Sequence, residues 1–100
     1  MSIVQLVVVD ESYYQLLSIK IVSDSPLKPS DIYGLELPKN IYYQKGIVIE
    51  GEKPLWLYAH IITLLGDKPF WLAIKDTELS AVVVKSTCEI IDVGDIVRLN

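Results

Sequence analysis

The sequence predicts an α+β fold: a mixed β-sheet with one principal helix and a β-hairpin at each end of the chain. Two observations carry that reading. The first is the stretch 46–66, GIVIEGEKPLWLYAHIITLLG, where a short apolar strand runs directly into a helix. The second is a series of β-branched runs on either side of it, each bounded by turn residues.

Residues 2–9, SIVQLVVV, read as the first strand, and Asp10, Glu11 and Ser12 as a polar turn. Residues 13–22, YYQLLSIKIV, read as the second, because Leu17, Ile19 and Ile21 alternate with Ser18 and Lys20 as in a half-solvated strand. The short connection implies an antiparallel hairpin. Residues 23–45 are irregular and punctuated by Pro26, Pro29 and Pro38. Within them Ser30 can cap a turn of helix through Tyr33, ended by Gly34. Leu27, Ile32, Leu35 and Leu37 should lay this segment over the sheet, and Tyr42 and Tyr43 lead into the third strand.

Ile47, Val48 and Ile49 suit a strand buried on both faces. Pro54 stands where a helix begins, since its missing N–H is one of the orphan donors there. Gly66 offers the left-handed stop, which places the helix at about 54–65. Trp56, Tyr58, Ile61, Ile62, Leu64 and Leu65 cover most of its circumference, so it needs cover on two sides: the sheet and, on this reading, a second subunit. Residues 69–75, PFWLAIK, form the next strand, parallel to the previous one through a right-handed crossover. Asp76, Thr77 and Glu78 then make a tight turn into LSAVVVK, residues 79–85. A loop over 86–94 precedes a last short strand through Ile96, Val97 and Arg98.

One hundred residues suit one domain, 1–100. The composition is 51% hydrophobic, an excess expected of a homo-oligomer, a homodimer or homotetramer, that buries surface between subunits. No apolar run reaches the roughly 18 residues of a membrane span. The opening MSIVQLVVVD lacks a basic region and a small-residue cleavage site, so neither membrane insertion nor secretion is expected. The single Cys88 rules out an internal disulfide and fits a reducing cytoplasm. A net charge of −4, with Arg98 the only arginine, argues against a grip on duplex nucleic acid. Two or three lysines beside a helix N-terminus can still hold a small anion.

Ligands of α/β proteins gather at the C-terminal edge of the strands. That edge should hold Glu50, Gly51, Glu52 and Lys53 after the third strand, and Asp76, Thr77 and Glu78 after the fourth. Paired carboxylates there can hold Mn²⁺ or Mg²⁺, although a solvated acidic turn looks the same in sequence. His60, the only histidine, lies in mid-helix, where a packed imidazole and a general base are both readable. No nucleophile elbow, P-loop or dinucleotide fingerprint is present.

Four stretches match one family in order and at nearly its spacing. They are PLKPSDIYGLELP (26–38), KGIVIEGEKPLWLYA (45–59), WLAIKDTELSAVVV (71–84) and VGDIV (93–97). On them the chain resembles the tetramer-forming ring nucleases of type III CRISPR antiviral defence, also known as Mn²⁺-dependent RNA deadenylases. The resemblance implies a ferredoxin-like α+β fold, and a cyclic tetra-adenylate sandwiched between two dimers. It also implies Mn²⁺-dependent cleavage of that ring or of a short RNA 3′ end, with catalytic residues from opposite dimers.

The family's catalytic aspartate matches Asp76, but its arginine two places on falls on Glu78. Its two histidines fall near Thr63 and Gly66 and are missing, while His60 lies a turn earlier. Its Ser-Gly-Arg before the helix is Glu50, Gly51 and Glu52 here. Phosphodiester cleavage needs an acid or base and something to offset growing negative charge, so these losses predict weak or absent cleavage. Three readings compete. One is a binder of cyclic oligoadenylate using Gly51, Lys53, Tyr58 and Lys75. Another is a metal-dependent phosphodiesterase or RNA exonuclease, with Asp76 and Glu78 holding the metal and Asp76 or His60 as catalyst. The last is a subunit-interaction protein with no nucleotide ligand.

Overall fold

The computed structural model describes residues 3–99. Six strands form one mixed sheet in sequential order: β1 (Val4–Asp10), β2 (Tyr14–Ile21), β3 (Gly46–Gly51), β4 (Trp71–Thr77), β5 (Ser80–Ser86) and β6 (Ile96–Arg98). One α-helix, α1 (Leu55–Leu65), joins β3 to β4, and a single 3₁₀ turn spans Pro29–Ile32. β1 and β2 are antiparallel, β2–β3–β4 are parallel, and β4–β5–β6 are antiparallel. The α+β class, the mixed sheet and the helix limits are as the sequence predicts. The strand order is not that of a ferredoxin-like sheet, in which another strand lies between the two parallel strands of each βαβ unit; here every strand lies beside its neighbour in sequence. The expected start of the first strand at Ser2 lies outside the described residues.

Each face of the sheet buries one core. The helix face holds Val4, Leu17, Ile19, Ile47, Ile49 and Leu72 against Leu57, Ile61 and Leu65 of α1. Leu27, Ile32, Leu35 and Leu37 of the proline-punctuated segment pack onto this same core, as the sequence predicts, together with Ile41 and Tyr43. The opposite face collects Tyr14, Val48, Trp71, Ala73, Ala81 and Val83 under Cys88 and Leu99. So the loop after β5 is a second cover, and β3 is buried on both faces as its composition requires.

Gln15, 3% exposed, ties the long 22–45 connection down. Its side chain donates to Asp10 Oδ1 at 3.0 Å and to the Asn40 carbonyl at 3.2 Å, and accepts the Tyr42 N–H at 2.6 Å. At the C-terminus of α1, Gly66 takes φ 59° and donates its N–H to the Ile62 carbonyl at 3.0 Å. Lys85 closes that end, donating to the Gly66 carbonyl at 2.9 Å while pairing with Asp67 at 2.8 Å. The pairing holds the Asp67 carboxyl below its usual range.

Candidate functional site

The parallel arrangement of β3 and β4 puts both C-terminal ends at one edge, and the chain leaves β3 there to start α1. Between that edge and the first two turns of α1 lies a groove of about 750 Å³. Leu55, Ala59 and Ile62 repeat at helical spacing and line it with Ile74, giving it an apolar wall. Its polar lining is the set named from sequence: Glu50, Gly51, Lys53, Tyr58, Lys75, Asp76 and Glu78. The structure therefore brings together the expected site residues except Glu52 and His60. His60 faces a separate cavity of about 470 Å³, with Ile32, Tyr33, Leu35 and Leu64.

Gly51 shapes the groove's entrance. Its φ is +122°, and a Cβ there would stand 2.4 Å from the Ile19 carbonyl oxygen and 2.6 Å from the Ile19 nitrogen. Only glycine lets the turn press this closely on β2. The turn is fastened from both sides. Tyr58 donates its hydroxyl to the Gly51 carbonyl at 2.7 Å, and Glu52 donates its N–H to the Ile19 carbonyl at 3.1 Å. Burial, and then the charge of Glu50, push the Tyr58 phenol above its ordinary value of 10.0, so it stays a hydrogen-bond donor.

The charges are partly spent within the protein. Lys75 pairs with Glu50 at 3.6 Å, both side chains being about a quarter exposed (29% and 24%). Glu52, expected among the acids facing a ligand, turns away: its carboxylate accepts the Ile21 N–H at 2.7 Å and helps line a second cavity beside Trp56. No ion pair holds Lys53 among the described residues.

Asp76 and Glu78 are not in one turn, as the sequence suggested. β4 runs on through Thr77, and the turn is Glu78 and Leu79, where the Thr77 and Ser80 hydroxyls meet at 2.6 Å. The pairing steps from Lys75–Ala81 to Thr77–Ser80, which leaves Asp76 as the extra residue of a bulge. Bulges re-aim a side chain and recur beside functional sites. No local residue pattern marks this one. Both carboxylates are exposed, and among the described residues no three His, Cys, Asp or Glu side chains are grouped to hold a metal ion. Within one chain, Asp76 and Glu78 would offer an Mn²⁺ ion two carboxylates, fewer protein ligands than a closed site supplies.

These features define a small single-helix α+β protein with a mixed-charge groove at the C-terminal edge of its parallel strands. A family model described as CRISPR-associated protein (Cas_csx3) matches residues 20–98. The chain belongs to that CRISPR-associated family. The match spans the whole groove and leaves β1 outside it. Among the described residues no helix is long and apolar enough to cross a membrane.

Proposed function

We propose that this CRISPR-associated protein binds an oligoadenylate, a cyclic ring or a short RNA 3′ end, in the groove between α1 and the ends of β3 and β4. The ligand is held between subunits of a homo-oligomer, in a type III setting, with little or no cleavage. The observation that carries the reading is the convergence of Lys53, Lys75, Tyr58 and Gly51 on one groove of about 750 Å³, within the size range of small-ligand sites. Lys53 supplies a cation to a phosphate, the phenol fixes the turn, and the apolar wall gives a base a surface to lie on.

What lines the groove supports the reading of weak cleavage. It holds no histidine, and its acids, Glu50, Asp76 and Glu78, outnumber its lysines. A departing phosphate would meet more negative charge than positive. The bulge at Asp76 favours a second reading, a metal-dependent phosphodiesterase on Asp76 and Glu78, which needs further ligands from another subunit.

Labelled cyclic tetra-adenylate, incubated with the protein with and without Mn²⁺, tests both. Bound but intact ring is the expected result. Turnover that requires Mn²⁺ and disappears in Asp76→Ala would establish the second reading. Absence of binding in either condition would leave a subunit-interaction protein.

A further inference from the structure

We propose that the cavity beside Trp56 is a second nucleobase subsite, taking the adenine next along the nucleotide chain from the one in the groove, with Lys53 on the phosphate between them. This rests on the oligoadenylate reading of the groove and extends it from one base to a two-base step. The cavity has a volume of about 450 Å³, and its lining includes Ile21, Ser23, Leu27, Glu52 and Trp56. The turn over residues 52–56 is the wall between the two hollows. Leu55 lines the groove, Glu52, Pro54 and Trp56 line the cavity, and Lys53 lines both. No ion pair occupies Lys53 among the described residues. A free cation on the crest of such a wall is placed for the one phosphate that links two bases splayed to either side.

Trp56 supplies the platform. It is half-buried and packs against the helix-face core, so its indole is held in place while it lines the cavity. Aromatic rings of this kind stack any base and choose none.

Glu52 supplies the choice. Its Oε2 accepts the Ile21 N–H at 2.7 Å, which fastens the side chain to β2, and its Oε1 has no hydrogen bond among the described residues. A carboxylate oxygen only accepts, so Oε1 takes the exocyclic amino group of adenine and repels a carbonyl presented in its place. With Oε2 engaged, the two-pronged grip of a carboxylate on the N1–H and amino group of guanine is not available. The Ser23 hydroxyl accepts the Ser25 N–H at 3.1 Å and keeps its own proton to donate to a ring nitrogen. The groove offers a base an apolar wall, and the Trp56 cavity adds a reading of which base it is.

The test is a titration of the full chain with tetra-adenylate, cyclic and linear, followed by tryptophan fluorescence. Trp71 is 5% exposed in the core of the opposite face, so quenching on binding should come from Trp56 and vanish in W56F. W56L keeps apolar bulk against the core but removes the stack; it should bind roughly tenfold more weakly with an unchanged circular dichroism spectrum. A tetranucleotide of purine riboside, which lacks only the amino group, should bind about five-fold more weakly than tetra-adenylate. E52Q keeps an oxygen for the Ile21 N–H and removes a negative charge, so both ligands should bind tighter while that preference disappears. Binding without quenching, an unchanged affinity in W56L, or a preference for adenine that E52Q leaves intact would overturn the subsite and spare the groove reading. A chain that binds neither form of tetra-adenylate would overturn both.

Discussion

Replacing Gly51 by alanine tests the account of the groove's entrance most directly. Two costs add. A side chain at φ +122° is strained whatever the space, which costs about 1–3 kcal/mol. The new Cβ also meets backbone, 2.4 Å from the Ile19 oxygen and 2.6 Å from its nitrogen, so no side chain can swing aside and β2 or the turn must shift. Overpacking of that kind costs about another 1–3 kcal/mol. The sum, about 2–6 kcal/mol, is a large part of the roughly 5–15 kcal/mol that holds a domain of this kind folded. Gly34→Ala is the control: its φ is +74°, but nothing lies within 4 Å of the added methyl, so only the strain remains. Urea unfolding of the two variants, compared through their midpoints at equal slope, sets the clash and the rarer φ of Gly51 against left-handed strain alone. If G51A loses no more stability than G34A, the close approach of this turn to β2 is wrong, and with it the anchoring of Tyr58.

The groove's electrostatics give two further expectations. Glu50→Gln releases Lys75 from its 3.6 Å partner, and a partly exposed pair of this kind is worth up to about 1 kcal/mol, so an oligoadenylate should bind about five-fold tighter at low salt. A titration showing unchanged or weaker binding would remove Lys75 from the ligand's path. Tyr58→Phe deletes the 2.7 Å hydrogen bond to Gly51 and should cost about 1 kcal/mol at neutral pH. The folded protein holds the Tyr58 proton more tightly than the unfolded chain, because burial and Glu50 raise its pKa. That component of stability is complete below the ordinary 10.0 and is lost as pH climbs through the raised value. The stability gap between wild type and Y58F, followed by urea unfolding, should therefore close above pH 10.0; a gap constant across that range would contradict the burial of the phenol.

Much of this was legible in the chain because glycine and proline mark its corners. Gly46, Gly51, Pro54 and Gly66 fix the ends of β3 and α1, and those two elements carry the groove. The parallel placement of β3 and β4 followed from the helix between them, and it predicted which residues would meet at the edge. What escaped the reading depends on contacts that no local pattern encodes. The bulge at Asp76 exists because the hairpin closes two residues later than the acidic triplet suggested, on the Thr77 and Ser80 hydroxyls. Glu52 serves β2 rather than the groove because the Gly51 turn lies against Ile19, a long-range approach. Gln15 gave no signal, being a polar residue in a strand that is buried only because the 40–42 segment folds over it. The family resemblance likewise carried a strand order that this sheet does not have.

The sequential order of the strands has a consequence for how the chain comes to be folded. In a sheet whose neighbours in space are neighbours along the chain, most closures are short and low in entropic cost. The longest is the junction of β2 with β3, which must close residues 22–45 at about 3 kcal/mol of loop entropy, whereas the 52–70 connection of β3 to β4 is shortened by the turns of α1. The β3–α1–β4–β5 unit can therefore assemble first, with the β1–β2 hairpin docking late. Destabilising changes in the hairpin, such as Leu17→Ala, should then speed unfolding and leave the refolding rate nearly untouched in stopped-flow measurements, whereas Ile61→Ala in the helix should slow refolding.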